Sequence, residues 1–565
     1  MLARKLQCFF TEKAGDSYFS PSAEGSFVSA EGSPISAEGS PISAEGSFVS
    51  AEGSPISAEG SPISAEGSFV SAEGSPISVA VLSANCVGAV QVQMGCLEAG
   101  VPYVPLNPLY NANELAVALN DAQSPLIFVH DSMRALYEQS QSLGIVRHQV
   151  QPVYFTSHDN LNDVFDVPLR DISGFVKSDV GQVLFTSGTT SKPKGCASFR
   201  LFEKPPRKHA SLLPKSPINM FLVTNACGSI FYPMMRLVIA SKGHVEFVED
   251  ELTDEVSPFQ QMFNSWASRK KTVQLLFGDQ LFWVLAHYTE SPEAFKGLEI
   301  PHIFYGGLKF PVSALEELMN IFPKSAYTQF YGSTEGGIYS VLTPEDHREK
   351  GNSPFQKGSA GKILEMSDLR IVGLNGEGEV SKKAGIPGEL QVGTSLSMKG
   401  YWLNPKATAE EFVEDENGKK WFRVGDIVQV DKHGYLYVMD RIKDMIILNT
   451  GRNVFCSEIE DIFSLHDAVK EVCCFGVENA DKIGESIAIA VVPEHLGHKE
   501  SEKKMFQSLL KEYGVAKLPL YKVPSYVFIV DEIPRTKNSK ILRREIRDNC
   551  NKIISGAKNF SVCPS

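Results

Sequence analysis

The stretch Thr186-Ser-Gly-Thr-Thr-Ser-Lys-Pro-Lys-Gly195 constrains this chain more than any other. An apolar run, Val183-Leu184-Phe185, enters it and reads as a short buried strand. Hydroxyls, glycines, a proline and two lysines follow, and such a stretch is a loop. A strand opening into this kind of loop suits polyphosphate. Glycine lets the backbone come close, amides and hydroxyls donate to phosphate oxygens, and lysine balances the charge. The spacing differs from Gly-x4-Gly-Lys-Ser/Thr, so this is not a Walker A loop. Taken alone, the string is also compatible with a surface linker.

Around this loop the pattern alternates. Val79–Leu82 reads as a strand, Val87 to Gly100 as a buried helix ending in glycine, Glu114 to Asp121 as a helix and Leu126–Val129 as a strand. Ile303-Phe-Tyr305 is a strand running into Gly306-Gly307. Pro311 to Phe322 is an amphipathic helix with Leu315, Leu318, Met319 and Phe322 on one face. Alternation of this kind predicts an α/β fold with a mainly parallel sheet. Beyond about residue 441, helix, strand, strand, helix and strand predict a small α+β domain of roughly 110 residues.

Residues 22–77 are eight tandem copies of Ser-Ala-Glu-Gly-Ser-Phe-Val or Ser-Ala-Glu-Gly-Ser-Pro-Ile, in a 21-residue cycle. A coiled coil fails because the apolar pair is adjacent and every unit carries glycine. A regular solenoid is the alternative, but each unit offers too few apolar side chains to offset its ordering entropy, which predicts disorder. Residues 1–77 are therefore expected to form a tail, followed by an N-terminally incomplete large domain over 78–440, a small one over 441–550 and a tail over 551–565.

The formal charge of −13 belongs mostly to that repeat, which holds eight glutamates and no lysine or arginine. It carries no nucleic-acid footprint. No run approaches about 18 apolar residues, so no membrane span is expected. The N-terminus has basic residues without a long apolar core behind them, which argues against a secretory signal. The ten cysteines contain no CxxC pair. Free thiols in a reducing cytosol are the expectation, and with them a cytoplasmic protein.

Tyr331-Gly-Ser-Thr-Glu335 follows a strand and joins the phosphate loop as a second glycine-bearing turn. Open α/β sheets bind ligands at the carboxyl ends of strands, where both would lie. An ordinary capped turn is the alternative. Trp421-Phe-Arg-Val-Gly-Asp426, Arg441-Ile-Lys-Asp444 and Pro534-Arg-Thr-Lys-Asn-Ser-Lys540 come after it in order. Together these motifs resemble the adenylate-forming superfamily of acyl- and aryl-CoA synthetases, luciferases and peptide-synthetase adenylation domains. The resemblance covers about residues 78–550 and is nearest to the long- and medium-chain acyl-CoA ligase branch.

That resemblance implies a two-step acid–thiol ligase: MgATP activates a carboxylic acid, fatty or aryl, as an acyl-adenylate, and CoA then takes the acyl group. It assigns ATP contacts to Thr186, Ser187, Gly188, Thr189, Thr190 and Lys194. Gly306 and Gly307 lie between the adenine and acyl pockets. Tyr331 stacks on the purine, Gly332 then lets the chain turn tightly at the strand end, and Thr334 donates to the α-phosphate. Glu335 is a hard oxygen ligand for Mg²⁺. Asp426 accepts from the ribose hydroxyls, Arg441 contacts ribose or phosphate, and Lys443 is the hinge of a mobile small domain. Lys540 is the catalytic lysine, bridging carboxylate and α-phosphate. Ser191, Val424 and Ser539 depart from the usual Gly, Thr and Gly. Three rival readings follow: a ligase that loads carrier-protein pantetheine, a luciferase-type adenylate oxidase, and a catalytically impaired member.

Overall fold

Val79-Ala-Val-Leu82 sets the layout of the large domain. A strand points successive side chains to opposite faces. Here Val79 and Val81 enter one apolar cluster, and Ala80 and Leu82 the other. The computed structural model describes residues 1–14, 77–84, 86–157, 159–165, 167, 177–178, 180–186, 193–199, 219–222, 244–247, 273–277, 279–307, 309–310, 312–348, 357–364, 368–374, 378–381, 383–393, 397–479, 484–495, 500–535 and 541–554. The repeat, with its expected disorder, lies outside the described residues except for its last one, Ile77.

Strands β1 (Val79–Leu82), β2 (Tyr103–Leu106), β3 (Leu126–His130), β4 (Gln151–Phe155), β5 (Val180–Phe185) and β6 (Gly195–Phe199) form most of a first sheet. The next strands are β7 (Asn219–Leu222), β8 (His244–Phe247), β9 (Val273–Phe277), β10 (His302–Gly306), β11 (Ala326–Ser333), β12 (Gly337–Leu342), β13 (Gly361–Ile363), β14 (Leu369–Gly373) and β15 (Gly388–Gly393). Then come β16 (Gly400–Tyr401), β17 (Phe412–Glu414), β18 (Lys420–Val430) and β19 (Tyr435–Arg441). The first sheet has the order β16-β6-β5-β2-β1-β3-β4, and the second runs β14-β15-β18-β19-β13-β12-β11-β10-β9-β7-β8 with β17 on β18. The first sheet is parallel from β5 to β4. The second is parallel from β8 to β11 and antiparallel from β11 onward.

The sequence reading places residues 1–77 in a tail, and the structure corrects this at its start. Leu2–Ala14 is a helix docked on the helix Val87–Ala99. Leu2, Ala3, Leu6 and Cys8 join the cluster that holds Val79, Val81, Ala89, Val92 and Cys96. Lys5 Nζ donates to the carbonyls of Asn162 at 2.7 Å and Phe165 at 2.9 Å, and Gln7 Nε2 to that of Ala99 at 2.9 Å. The reason is visible in Val87-Gly-Ala-Val-Gln-Val-Gln-Met-Gly-Cys-Leu-Glu-Ala99, a helix apolar on most sides, which needs cover on its outer face as well as a sheet beneath. Ile77, the last residue of the repeat, is itself 3% exposed in this core. The large domain therefore takes its first helix from before the repeat.

The small domain is built on strands β20 (Ile446–Ile447), β21 (Asn453–Val454), β22 (Val469–Glu478), β23 (Glu485–Pro493) and β24 (Tyr526–Ile529). β22-β23-β24 form its sheet. One face packs on the helices Cys456–Phe463 and Glu500–Lys517, the other on Arg543–Ile554. That last helix runs past the expected boundary at 550.

Candidate active site

Both expected motif turns stand at the ends of strands. β5 and β6 form an antiparallel hairpin, and the phosphate-loop sequence connects them. Its neck is closed: Thr186 N donates to the Lys194 carbonyl at 3.0 Å, and Lys194 N to Thr186 Oγ1 at 3.3 Å. Ser187, Gly188, Thr189 and Thr190 lie outside the described residues. Lys194 Nζ stands 3.5 Å from Glu411 Oε1 and 4.5 Å from the centroid of the Tyr401 ring.

The second turn joins β11 to β12. Gly332 sits where the two strands change register, and a Cβ there would run into the Gly337 carbonyl, so no other residue fits. Ser333 does the structural work of the turn. Its Oγ accepts from Gly336 N at 3.1 Å and lies 2.5 Å from the Tyr339 hydroxyl. This leaves the Thr334 side chain exposed. Gly306 ends β10 against the backbone of Phe330, and Gly307 follows in the left-handed region with φ 85°.

Two links bring the turns together. Met398 N donates to the Glu335 carbonyl at 2.5 Å, and Lys399 N to that of Ala197 on β6 at 2.9 Å. β16 then pairs with β6. Its Tyr401 hydroxyl donates to Glu335 Oε1 at 3.4 Å while its ring faces Lys194. Burial, and then the charge of Glu335, push the Tyr401 phenol far up, so it stays a donor. Lys194, Tyr401, Glu411 and Glu335 thus form one connected group.

Tyr331, Asp426 and Arg441 form another. Tyr331 Oη donates to Asp426 Oδ2 at 2.6 Å, and Arg441 Nε lies 3.0 Å from Asp426 Oδ1. Asp426 is 6% exposed. Burial and then the Asp426 charge keep the Tyr331 phenol protonated. A carboxylate has about four acceptor positions, so Asp426 retains capacity for further donors after serving these two. Val424, two residues before it, is buried beside Tyr339 in the apolar cluster and makes packing contacts there.

Arg441 ends β19 and opens the turn that closes through Asp444 N donating to the Arg441 carbonyl at 3.0 Å. Lys443 is exposed in that turn. Lys540 lies outside the described residues. Among the described residues no group of three or more His, Cys, Asp or Glu side chains gathers to hold a metal. Glu335 is a single carboxylate. That donor set suits Mg²⁺, which takes one or two carboxylates and completes its shell with phosphate oxygens and water. Glu411 and Tyr401 carried no signal of their own in the sequence.

The sequence profile described as AMP-binding enzyme matches residues 73–198 and 257–402, and that of the AMP-binding enzyme C-terminal domain matches residues 458–540. The chain belongs to the AMP-binding enzyme family. The matched blocks contain the phosphate loop and the Glu335 turn, and the last one ends on Lys540. Residues 199–256 fall between blocks. Among AMP-binding relatives, a 2-succinylbenzoate–CoA ligase from Geobacillus sp. (strain WCH70) is 30% identical over 83% of this chain and 87% of the relative. The long-chain-fatty-acid–CoA ligase FadD13 of Mycobacterium tuberculosis (strain ATCC 25618 / H37Rv) is 28% identical over the same shares. ATP-bound MatB from Rhodopseudomonas palustris has the same fold, with a TM-score of 0.68, 20% identity and coverage of 84% of this chain and 89% of that one.

Proposed function

We propose that this AMP-binding enzyme is an AMP-forming acid–CoA ligase acting on a fatty or aryl carboxylic acid. In the first step a carboxylate oxygen attacks the α-phosphorus of ATP. The bond to the bridging oxygen breaks, pyrophosphate leaves, and an acyl-adenylate forms. In the second the thiol of CoA attacks the acyl carbon, AMP leaves with the bonding pair, and the thiol proton passes to solvent.

The observation that carries this reading is the joining of the two connected groups by one short turn. Glu335 stands four residues beyond Tyr331, so a group suited to phosphates and one suited to a ribose are neighbours. Asp426 accepts from the ribose hydroxyls while Tyr331 and Arg441 hold its orientation. Thr334, with its exposed hydroxyl, donates to phosphate. Lys194 and the Thr186–Thr190 loop balance the phosphate charge. Glu335 would hold Mg²⁺, which neutralises phosphate charge when bound. Lys443 serves as the hinge and Lys540 meets the charge that grows between carboxylate and α-phosphate. Positioning the reactants in line supplies much of the rate. No helix among the described residues is long and apolar enough to cross a membrane. The eight described cysteines are free and buried, which supports the cytosolic reading.

The test is carboxylate-dependent ATP–pyrophosphate exchange with a panel of fatty and aryl acids, comparing wild type with Lys540→Ala. The expected loss in the variant is on the order of a hundredfold or more. Thioester formation with free CoA, against a pantetheinylated carrier protein, then separates the two acceptors. A folded, ATP-binding protein that exchanges with no acid would be a catalytically impaired member instead.

A further inference from the structure

The segment that carries Lys540 is pinned at its neck. Arg535 pairs with Ile541 in an isolated antiparallel bridge, and Leu542 N donates to the Pro534 carbonyl at 2.8 Å. The next residue, Arg543, opens the helix Arg543–Ile554, and its side chain is only 15% exposed. Its neighbour Arg544 is 68% exposed and pairs with Asp548 on the same helix.

The buried guanidinium reaches two kinds of partner. Nη1 donates to the Glu460 carboxylate and to the Cys474 carbonyl, and Nη2 to Glu460 Oε2 at 3.4 Å. These belong to the small domain's own helix and sheet. Nε stands 3.7 Å from Asp444 Oδ2, and Asp444 belongs to the hinge turn. That turn is held in its own right. The Asp444 carbonyl accepts from Cys456 Sγ at 3.2 Å, and Cys456 N donates to Asp440 Oδ2 at 2.5 Å.

We propose that Arg543 is a positioning residue that locks the neck of the Lys540 segment to the hinge turn through Asp444. The proposal rests on the ligase reading, in which Lys540 must meet the α-phosphate. A guanidinium buried between two carboxylates adds little stability over an apolar residue of its size, because desolvation offsets the attraction. What it adds is geometry: a planar fork with several fixed donor directions, which a lysine ammonium cannot reproduce. The hinge turn and the neck residues Arg535 and Ile541–Arg543 then keep one arrangement relative to each other as the small domain rotates.

Asp444→Asn tests this, because it weakens the hinge contact and leaves Glu460 and the Cys474 carbonyl in place. Arg543→Lys, which keeps the charge and loses the fork, is the second variant. Each should lower the maximal rate of ATP–pyrophosphate exchange roughly ten- to a hundredfold, the scale of a 1 Å misplacement, with KM for ATP within about twofold. In a Lys540→Ala background the same changes should cost nothing further, since they act through that lysine. Trypsin cleavage after Arg535, Lys537 and Lys540 in Asp444→Asn should rise several-fold at an unchanged thermal midpoint. Losses that multiply with Lys540→Ala, or cleavage at the wild-type rate, would overturn the proposal and leave the ligase reading standing. Exchange that survives Lys540→Ala would overturn both.

Discussion

Replacing Leu6 by alanine examines the N-terminal helix directly. Leu6 has no exposed surface and lies in the cluster under β1 and β3. The change removes three buried carbons, about 2.4 kcal/mol at roughly 0.8 kcal/mol each. The cavity left behind raises the expected cost to about 3–4 kcal/mol, within the range of buried Leu→Ala changes. The surroundings cannot collapse easily, because Leu2 already sits 3.0 Å from where a Cβ on Gly95 would be. Two readouts are needed. If the helix stays docked, the large domain's thermal midpoint falls by several degrees. If the helix detaches at lower cost, trypsin cuts at Arg4, Lys5 and Lys13 while the midpoint falls less. Deleting residues 22–42, one full cycle of the repeat, is the control. Shortening a connection of some 62 residues by a third changes closure entropy by only about 0.4 kcal/mol. If Leu6→Ala matched wild type in both midpoint and cleavage, the helix would not be part of the core, and the reasoning would fail.

Asp426→Asn should lower kcat/KM for ATP roughly thirtyfold or more, the scale of losing charge-assisted bonds to two ribose hydroxyls, measured by pyrophosphate exchange. Equal kcat/KM would remove the ribose role. Glu335→Gln should raise the free Mg²⁺ needed for half-maximal exchange, and an unchanged Mg²⁺ dependence would dissociate that carboxylate from the metal. His302 and His347 are held down at about 4, chiefly by burial. The neutral forms are thus favoured in the fold, and the stability they contribute is complete above pH 6.5 and lost as pH falls toward about 4. Each shift corresponds to roughly 3 kcal/mol. Thermal midpoints should fall over that window, and less steeply in His347→Gln; identical slopes would refute the assignment.

The helix Val87–Ala99 and the strand Val79–Leu82 before it were legible because their apolar patterns are local. So was the helix around Glu114, though it starts earlier, at Ala112. Asn111 caps it in a reciprocal box with Glu114, a signal present in Asn-x-x-Glu. The N-terminal helix was missed for a different reason. Leu2, Leu6 and their neighbours have the right spacing, but 62 residues separate the end of their helix, Ala14, from Ile77, and the repeat made everything before it look like part of one tail.

By itself, the sequence determined the order of the motifs, the alternation that makes an α/β fold, and the chemical types available at each turn. Tertiary structure decided which of them meet. Tyr331 and Asp426 are 95 positions apart and share a 2.6 Å hydrogen bond. Lys194 and Glu411 are 217 apart and stand at 3.5 Å. Helix and strand periods register neighbours along the chain. Contacts of this range depend on strand order within the sheets, which carries no local signature, so Tyr401, Glu411 and the buried fork of Arg543 emerge only once the strands are paired.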